Sequence, residues 1–504
     1  MDTIAIITCD RPEPFDRCIS SYTRHVEERG HGLKMRVIDT SSTASDRAAV
    51  QRTIARLNQR HPGEIEYLDS GWIAALIEEL TRRGFDQRDL QHAFTNLYGI
   101  PSSPGSARNA FLAASCGERA LTVDDDSYCE VGMTGENDPA TINFSSAGWM
   151  SRSTHFFGER SSAIAYLETS DCDLLAEHDK FLGRSLQDLV PKELVGAAGT
   201  ALRIGAPPLV DLSEKRGIVR ITSSGVAGDS GVPDCAHLLL SKGTLRRDFV
   251  THWEHHGDLN QCRHIVQAVD RPILSHNNVL GTTTATGVDL RDPLPPFICS
   301  GRGEDTFWAR LAKHLSSDLY VAYLPIILPH DPPERREYRR LSPRWRVVDA
   351  FHSILCDATP PSTTDLKARY AATGRHFQQW GNCAPRELEE MLRHLMRVRL
   401  AGTMERIESS FAVYGRQPPL WARTLEDYLA ELRAALPHPQ LPFLDMPACE
   451  PWQQQCERLR DYLTGFGRLL SVWPQILEAV QNLEREGLLN LTLQSICVGP
   501  DRPR

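Results

Sequence analysis

Residues 104–126 read PGSARNAFLAASCGERALTVDDD, and this stretch decides the fold. It predicts a short helix over 105–112 and a buried strand over 120–123, and it ends in three consecutive aspartates, Asp124, Asp125 and Asp126. Ionised carboxylates packed together repel one another and are costly to remove from water. A divalent cation would neutralise them, so the stretch predicts a metal-binding rim at the end of a sheet strand.

Two further strands precede this stretch, and each ends in polar residues. Residues 3–8 and 35–38 are apolar runs, and a predicted helix lies between them. This alternation is typical of an α/β sheet, in which ligands lie at the carboxyl ends of the strands. The residues expected at that rim, besides the aspartates, are Thr8, Asp10, Arg11 and Asp39, with Arg108 on the short helix directed toward it.

The rest of the chain divides into three parts. Residues 128–296 mix short apolar runs with glycine, serine and threonine, and they are predicted to form a long insertion. Glu304 and Asp305 then begin a helix, and an apolar strand over 319–328 leads to His330. Beyond two adjacent prolines the apolar spacing is helical, which predicts an α/β domain over 1–331 and an all-α domain over 341–504.

Composition disfavours several classes of protein. The chain is 41% hydrophobic and 24% charged, and no apolar run reaches the roughly 18 residues that a bilayer span needs. A net charge of −9 disfavours nucleic acid, and six arginines between 335 and 346 are predicted to lie on a solvated linker helix. Thirteen cysteines without CxxC spacing predict reduced thiols. We therefore expect a cytoplasmic protein without a transmembrane segment or a nucleic-acid partner.

Two short motifs are interpreted as structural. Residues 228–231 spell GDSG, the nucleophile signature of trypsin-like proteases, but no matching histidine segment precedes them, so a loop is expected. Residues 252–256 read HWEHH, which does not match HExxH, so a zinc hydrolase is not expected.

In their order along the chain, these features resemble the motifs of GT-A fold glycosyltransferases, most nearly the inverting family 2 type. The features are TCDRP at 8–12, Asp39, residues 105–109 ahead of the aspartates, the pair Glu304 and Asp305, and His330. The resemblance covers roughly residues 3 to 127 and 297 to 331. It implies a GT-A (Rossmann-like) nucleotide-sugar-binding catalytic domain, with the insertion on the acceptor side.

The resemblance also implies a role for each site residue. Asp124 and Asp126 match the DxD motif, in which the last aspartate coordinates Mn²⁺ or Mg²⁺ on the donor diphosphate and the first lies near the ribose. Asp305 matches the catalytic base, with Glu304 beside it, and His330 matches an extra metal ligand. The other implied donor-binding residues are Thr8, Asp10, Arg11, Asp39, Arg108 and Asp125. Among them, Asp39 is implied to contact the nucleobase.

The expected activity is metal-dependent transfer of a single sugar from a nucleotide-sugar donor, UDP-linked, to an acceptor hydroxyl with inversion. The residues agree with this chemistry, because a helix N-terminus favours the negative charge that a base such as Asp305 requires. No QxxRW motif occurs, since Leu341 stands where glutamine would precede Arg344 and Trp345. This departure, like the absence of membrane spans, argues against a processive polysaccharide synthase.

Two alternatives stay open. An apolar strand followed by Asp-x-Asp is also the nucleophile motif of haloacid dehalogenase-type phosphohydrolases, which would make Asp124 the nucleophile, although Ser127 and Tyr128 follow where that class usually has Gly-Thr. The other alternative is a non-enzymatic nucleotide-sugar or protein-binding module on an inert GT-A scaffold.

Overall fold

The computed structural model describes residues 1–59, 65–100, 104–147, 152–190, 206–277, 284–334, 336–360, 362–439, 443, 445–446 and 450–488. The strands are β1 (Thr3–Thr8), β2 (Lys34–Asp39), β3 (Ile65–Leu68), β4 (Arg119–Asp124), β5 (Gly132–Met133), β6 (Asn143–Phe144), β7 (Ser153–Phe156), β8 (Ile218–Asp229), β9 (His264–Ala268), β10 (Ile273–Ser275), β11 (Ala285–Asp289) and β12 (Leu319–His330). The α-helices of the first 331 residues are α1 (Pro12–Arg29), α2 (Ala44–Asn58), α3 (Ser70–Arg82), α4 (Gln87–Phe94), α5 (Pro104–Ala114), α6 (Arg160–Ala165), α7 (Leu174–Asp179), α8 (Leu186–Leu189), α9 (Ala206–Ser213), α10 (Ala236–Leu239), α11 (Gly243–His256) and α12 (Glu304–Leu315). Those that follow are α13 (Val347–Asp357), α14 (Leu366–Asn382), α15 (Pro385–Tyr414), α16 (Pro419–Ala435) and α17 (Trp452–Arg485).

The strands form one mixed sheet with the central order β3-β2-β1-β4-β11-β8-β12-β10-β6. β3, β2, β1 and β4 are parallel, β11 is antiparallel to both β4 and β8, and β8 and β12 are parallel. Because β2 and β4 lie on opposite sides of β1, the strand order reverses there. In open α/β sheets the crevice beside such a reversal, at the carboxyl ends of the strands, is where ligands bind.

The segment 128–296, which the sequence predicts to be an insertion, supplies central strands of this sheet. β8 and β11 lie between β4 and β12. Strands β5, β10 and β6 extend the sheet beyond β12, and β9 and β7 extend it from the second half of β8. β8 pairs with β11 along its first half and with β9 along its second. Gly225 lies at the changeover, where a Cβ would come within 2.5 Å of the Gln267 carbonyl oxygen. The sequence did not reveal this role because β8 is rich in serine, threonine and glycine.

Helices α13 to α17 confirm the predicted C-terminal helical region. Helices α13, α14, α15 and α17 share one hydrophobic cluster with the sheet and its helices, which includes Phe111 of α5, Phe307 of α12 and Phe466 of α17. Helix α16 belongs to a separate cluster around Trp421. α14 and α17 pack closely, since a Cβ on Gly467 would lie 2.5 Å from the Gly374 carbonyl oxygen. Within the described ranges, no helix combines the length and apolarity that crossing a bilayer requires.

The linker before α13 differs from its prediction. Residues 336–344 form no helix, although a solvated helix was expected for this basic cluster. The described cysteines are all free, as the spacing predicted.

Gly105 joins α5 to the chain segment that leads into α12. A Cβ at this position would lie 1.8 Å from the Ile298 carbonyl oxygen. Beside it, the Ser106 N–H donates to the Cys299 carbonyl at 3.2 Å. The Asn109 side chain accepts from the Phe297 N–H at 2.7 Å and donates to its carbonyl at 3.0 Å. Only glycine permits this approach, so it sets the position of α5 relative to α12.

Substituting Gly105 by alanine is expected to lower the free energy of unfolding by about 2 kcal/mol or more, because the atom it meets is backbone and cannot turn away. The matched control is G402A in the interior of α15, where a Cβ would meet no atom within 4 Å. That change should raise stability by roughly 0.5–1 kcal/mol, since alanine is the better helix former. Urea denaturation of both variants tests this packing, which would be contradicted if G105A were as stable as G402A.

Candidate functional site at the carboxyl ends of β1 and β4

The loops after β1 and β4 are joined through the aspartates. Ile7 and Asp124 are partners in the parallel pairing of β1 and β4, so the residues after them lie side by side. The Thr8 hydroxyl donates to Asp125 Oδ2 at 2.8 Å. Arg11 Nη1 lies 3.4 Å from Asp125 Oδ1 and 3.0 Å from Asp126 Oδ2. Four of the residues expected at one rim are therefore in contact.

Three cationic side chains surround Asp126. Besides Arg11, Arg336 Nη2 lies 3.2 Å from Oδ2, and His330 Nε2 lies 3.2 Å from Oδ1. Burial alone would raise the pKa of Asp126, but the positive charges of His330, Arg336 and Arg11 outweigh it and hold that pKa well below its usual range. Asp126 is therefore a buried, ionised carboxylate.

For the neighbouring Asp125, burial and the nearby charges shift the pKa in the opposite direction. Burial and the negative charge of Asp126 raise the pKa of Asp125 to about 7, although Arg11 and the Thr8 hydroxyl oppose the shift. Asp125 therefore titrates near neutral pH, whereas the adjacent Asp126 stays ionised there.

His330 is held in one orientation by the end of β8. Its Nδ1 bonds to the backbone carbonyl of Asp229, so this nitrogen must donate and Nε2 faces Asp126. The Asp229 carboxylate is paired in turn with Arg263, at 2.8 and 3.2 Å, and both side chains are only 2% exposed. Burial disfavours the imidazolium, but the charge of Asp126 raises the pKa of His330 overall. The predicted GDSG loop is thus partly strand, since Gly228 and Asp229 end β8.

Arg108 connects the aspartates to the start of α12. Its Nη2 lies 3.1 Å from Asp124 Oδ1, and its Nε lies 3.3 Å from Glu304 Oε1. Burial and the charge of Asp305 raise the pKa of Glu304, and Arg108 opposes that shift. Asp305 is only partly buried and accepts the N–H of Thr306 at 2.7 Å. The residues predicted from the two distant motifs therefore meet at one place.

Asp10 and Asp39 lie at the same edge of the sheet but hold the loop after β2. Asp39 is buried, and its two oxygens accept from the Ser41 N–H at 2.8 Å and the Tyr67 hydroxyl at 2.7 Å. Asp10, in the left-handed region with φ 55°, accepts the Ser42 N–H at 2.6 Å. In the part of the chain that the structure describes, these carboxylates contact this loop and not the aspartates after β4.

Some side chains near Asp126 carry atoms of the types that bind divalent cations. Carboxylate oxygens of Asp124 and Asp126 suit Mn²⁺ or Mg²⁺, and the carbonyl bond at His330 Nδ1 is the kind that orients metal-ligating histidines. The described residues nonetheless include no group of three or more such side chains spaced to hold a metal ion. Guanidinium groups occupy the bonding positions of Asp126 Oδ2.

Sequence reasoning missed Arg336 and the Asp229–Arg263 pair. Arg336 lies six positions after His330, within the basic cluster assigned to a solvated helix. The proximity of that cluster to His330 was the available signal. Nothing in the local sequence pairs Asp229 with Arg263, since the contact depends on β8 and β9 lying side by side.

Replacing Arg108 by methionine is expected to cost about 3–5 kcal/mol of stability, because it leaves the buried Glu304 carboxylate without its cation. The double variant R108M/E304Q should recover part of that loss, since a neutral amide is cheaper to bury. Urea denaturation of the wild type, both single variants and the double variant measures this coupling. Strictly additive effects would show that the Arg108–Glu304 contact carries no stability.

Comparisons with protein-family models, with curated proteins and with solved structures found no match to this chain. Its function is therefore inferred from the geometry of the site and from the resemblance of its motifs.

Proposed function

We propose that the chain is a metal-dependent glycosyltransferase of the GT-A type, which transfers a single sugar from a UDP-linked donor to an acceptor hydroxyl with inversion. The observation that carries the proposal is the position of Arg108, which bonds both to Asp124 and to Glu304. It links the Asp-x-Asp motif to the helix that begins with the proposed base, Asp305.

The nucleotide diphosphate is assigned to the crevice between β1 and β4. The strand order reverses at β1, and Thr8 and Arg11, at the carboxyl end of β1, bond to Asp125 and Asp126. Guanidinium groups bind phosphate oxygens in the same forked geometry in which they bind carboxylates. Arg11 and Arg336 would accordingly exchange Asp126 for the diphosphate when the donor binds.

Mn²⁺ or Mg²⁺ is assigned to Asp126, Asp124 and His330. Arg11 and Arg336 would leave Asp126 for the phosphates, and the carboxylate oxygens of Asp126 could then hold the ion. When bound, it supplies Lewis-acid stabilisation of the charge that develops on the leaving diphosphate.

Asp305 is assigned as the base that receives the acceptor proton. The acceptor oxygen bonds to the anomeric carbon as the bond from that carbon to the diphosphate oxygen breaks, and the nucleoside diphosphate leaves. Attack on the face opposite the leaving group inverts the configuration. Glu304 is 5% exposed and held by Arg108, which suits a positioning residue, whereas Asp305 is partly accessible at the N-terminus of α12.

The two alternative functions stay predictions. Trapping an aspartyl phosphate at Asp124 with a fluoride analogue would support the phosphohydrolase. Binding of UDP without hydrolysis or transfer of any nucleotide sugar would support the inert module.

D126A is expected to abolish sugar transfer and metal-dependent UDP binding, because it removes the carboxylate at the centre of the cation cluster. D305N should abolish transfer and leave UDP affinity nearly unchanged, since the amide cannot accept the proton. Calorimetric UDP titrations with Mn²⁺ and with EDTA, together with a transfer assay over several nucleotide sugars, measure both effects. Transfer that survives either change would contradict the proposal.

R336Q is expected to strengthen Mn²⁺ binding and to weaken UDP binding. In the proposal, Arg336 competes with the metal for Asp126 and also binds the phosphates of the donor. Paramagnetic titration of Mn²⁺ and calorimetry of UDP measure the two affinities independently of activity. The matched control is R340Q on the same linker, whose partner is Glu431 and which should change neither affinity. Equal Mn²⁺ affinity in R336Q and the wild type would refute the proposal that Arg336 leaves Asp126 when the metal and the donor bind.

A further inference from the structure

A second polar cluster lies on the same sheet face as Asp124. Thr122, Thr286, Ser223 and Tyr323 are successive partners across β4, β11, β8 and β12. Partner residues on neighbouring strands direct their side chains to the same face. Thr122 precedes Asp124 by two residues, so the row lies on the face of Asp124, about 7 Å farther along the strand.

Arg152 lies over this row and is 4% exposed. Its Nη2 donates to Ser223 Oγ at 2.9 Å and to the Ser224 carbonyl at 2.6 Å, and its guanidinium carbon lies 5.0 Å from the centre of the Tyr323 ring. Its Nε and Nη1 have no hydrogen-bond partner among the described residues. Among the described residues, one guanidinium nitrogen of Arg152 is thus hydrogen-bonded and the other two are not.

Other buried arginines of the chain have acidic partners. Arg36 pairs with Glu118, Arg263 with Asp229 and Arg220 with Asp292. In the ranges that the structure covers, Arg152 forms no ion pair with a carboxylate. An uncompensated buried charge is costly, so it is retained where an anion can join it. Burial lowers the pKa of Arg152 to about 10, which leaves the side chain protonated at neutral pH.

The row offers further free donors. The hydroxyl oxygens of Thr122 and Thr286 are buried and have no partner among the described side chains and backbone. Thr286 is the strand partner of Ser223, which holds Arg152, and Thr122 is the next partner along the row. Two hydroxyls and two guanidinium nitrogens without a partner among the described residues therefore belong to one row of side chains on this sheet face, and oxyanion oxygens could accept from them.

We propose that Arg152, Thr122 and Thr286 form a binding site for a carboxylate or phosphate group of the acceptor. The identification with the acceptor rests on the proposed glycosyltransferase function. The site lies on the sheet face that carries Asp124, whose partner Arg108 leads to the start of α12. An acceptor with one hydroxyl at Asp305 and an acidic group at Arg152 spans the two clusters. The preferred acceptor is accordingly an acidic or phosphorylated sugar, and a neutral sugar binds poorly.

Calorimetric titration of the full chain with glucuronate, with inorganic phosphate and with glucose tests the site. The wild type should bind the two anions and not glucose, and R152M should bind both anions at least about tenfold more weakly. T122V/T286V should also weaken both while keeping or raising the melting temperature, because valine has the shape of threonine without the unpaired hydroxyl. The double variant therefore keeps the test decisive even if R152M fails to fold.

Two control variants separate this site from other causes. R220M removes a buried arginine that lies on β8 and donates to the Asp289 and Asp292 carbonyls, and it should lower stability without changing anion affinity. R336Q reports anion binding at the Asp126 cluster. Anion affinity that falls in R336Q and stays unchanged in R152M and T122V/T286V would overturn the site and leave Arg152 as a structural cap of the Ser224 carbonyl.

UDP titrations in parallel distinguish the two proposals. UDP binding with anion affinity that is independent of Arg152 overturns the oxyanion site alone. Anion affinity that depends on Arg152, in a chain that binds no nucleotide, supports the oxyanion site and overturns the glycosyltransferase.

Discussion

Neutralisation of the aspartates after β4 is the constraint on which the rest of the site depends. Asp126 is buried and ionised, and a carboxylate in that position requires cations close by. Those cations come from separate parts of the chain: Arg11 follows β1, His330 ends β12 and Arg336 belongs to the linker beyond it. The arrangement of the sheet and the linker thus brings all three side chains to Asp126.

The same charges make the site suited to ligand exchange. A buried ion pair contributes little net stability when it is complete, because the attraction is offset by the loss of hydration. Replacing one anion by another at Arg11 or Arg336 consequently costs less than exposing either charge alone. Arg108 differs from these residues, since it lies deeper and joins Asp124 to Glu304, and it acts as a fixed support between the two halves of the site.

Two polar clusters on one sheet face differ in how completely they are paired. Around Asp126, each oxygen of the carboxylate has a cationic partner. Around Arg152, donors of the guanidinium and of two threonines have none within the described residues. β8 is divided between β11 and β9, and Ser224, whose carbonyl accepts from Arg152, lies between the two paired segments.

The sequence alone determined the α/β alternation, the helical C-terminal region and the strand ends that gather Thr8, Arg11 and the aspartates, because adjacent parallel strands necessarily end at one edge. The tertiary structure decided what depends on contacts between distant segments. It placed β8 and β11 in the centre of the sheet, paired Arg336 with Asp126, and left Arg152 buried without a carboxylate partner among the described residues. The physical reason is that strand order and buried ion pairs are selected by the packing of the whole chain, and local sequence patterns do not encode that packing.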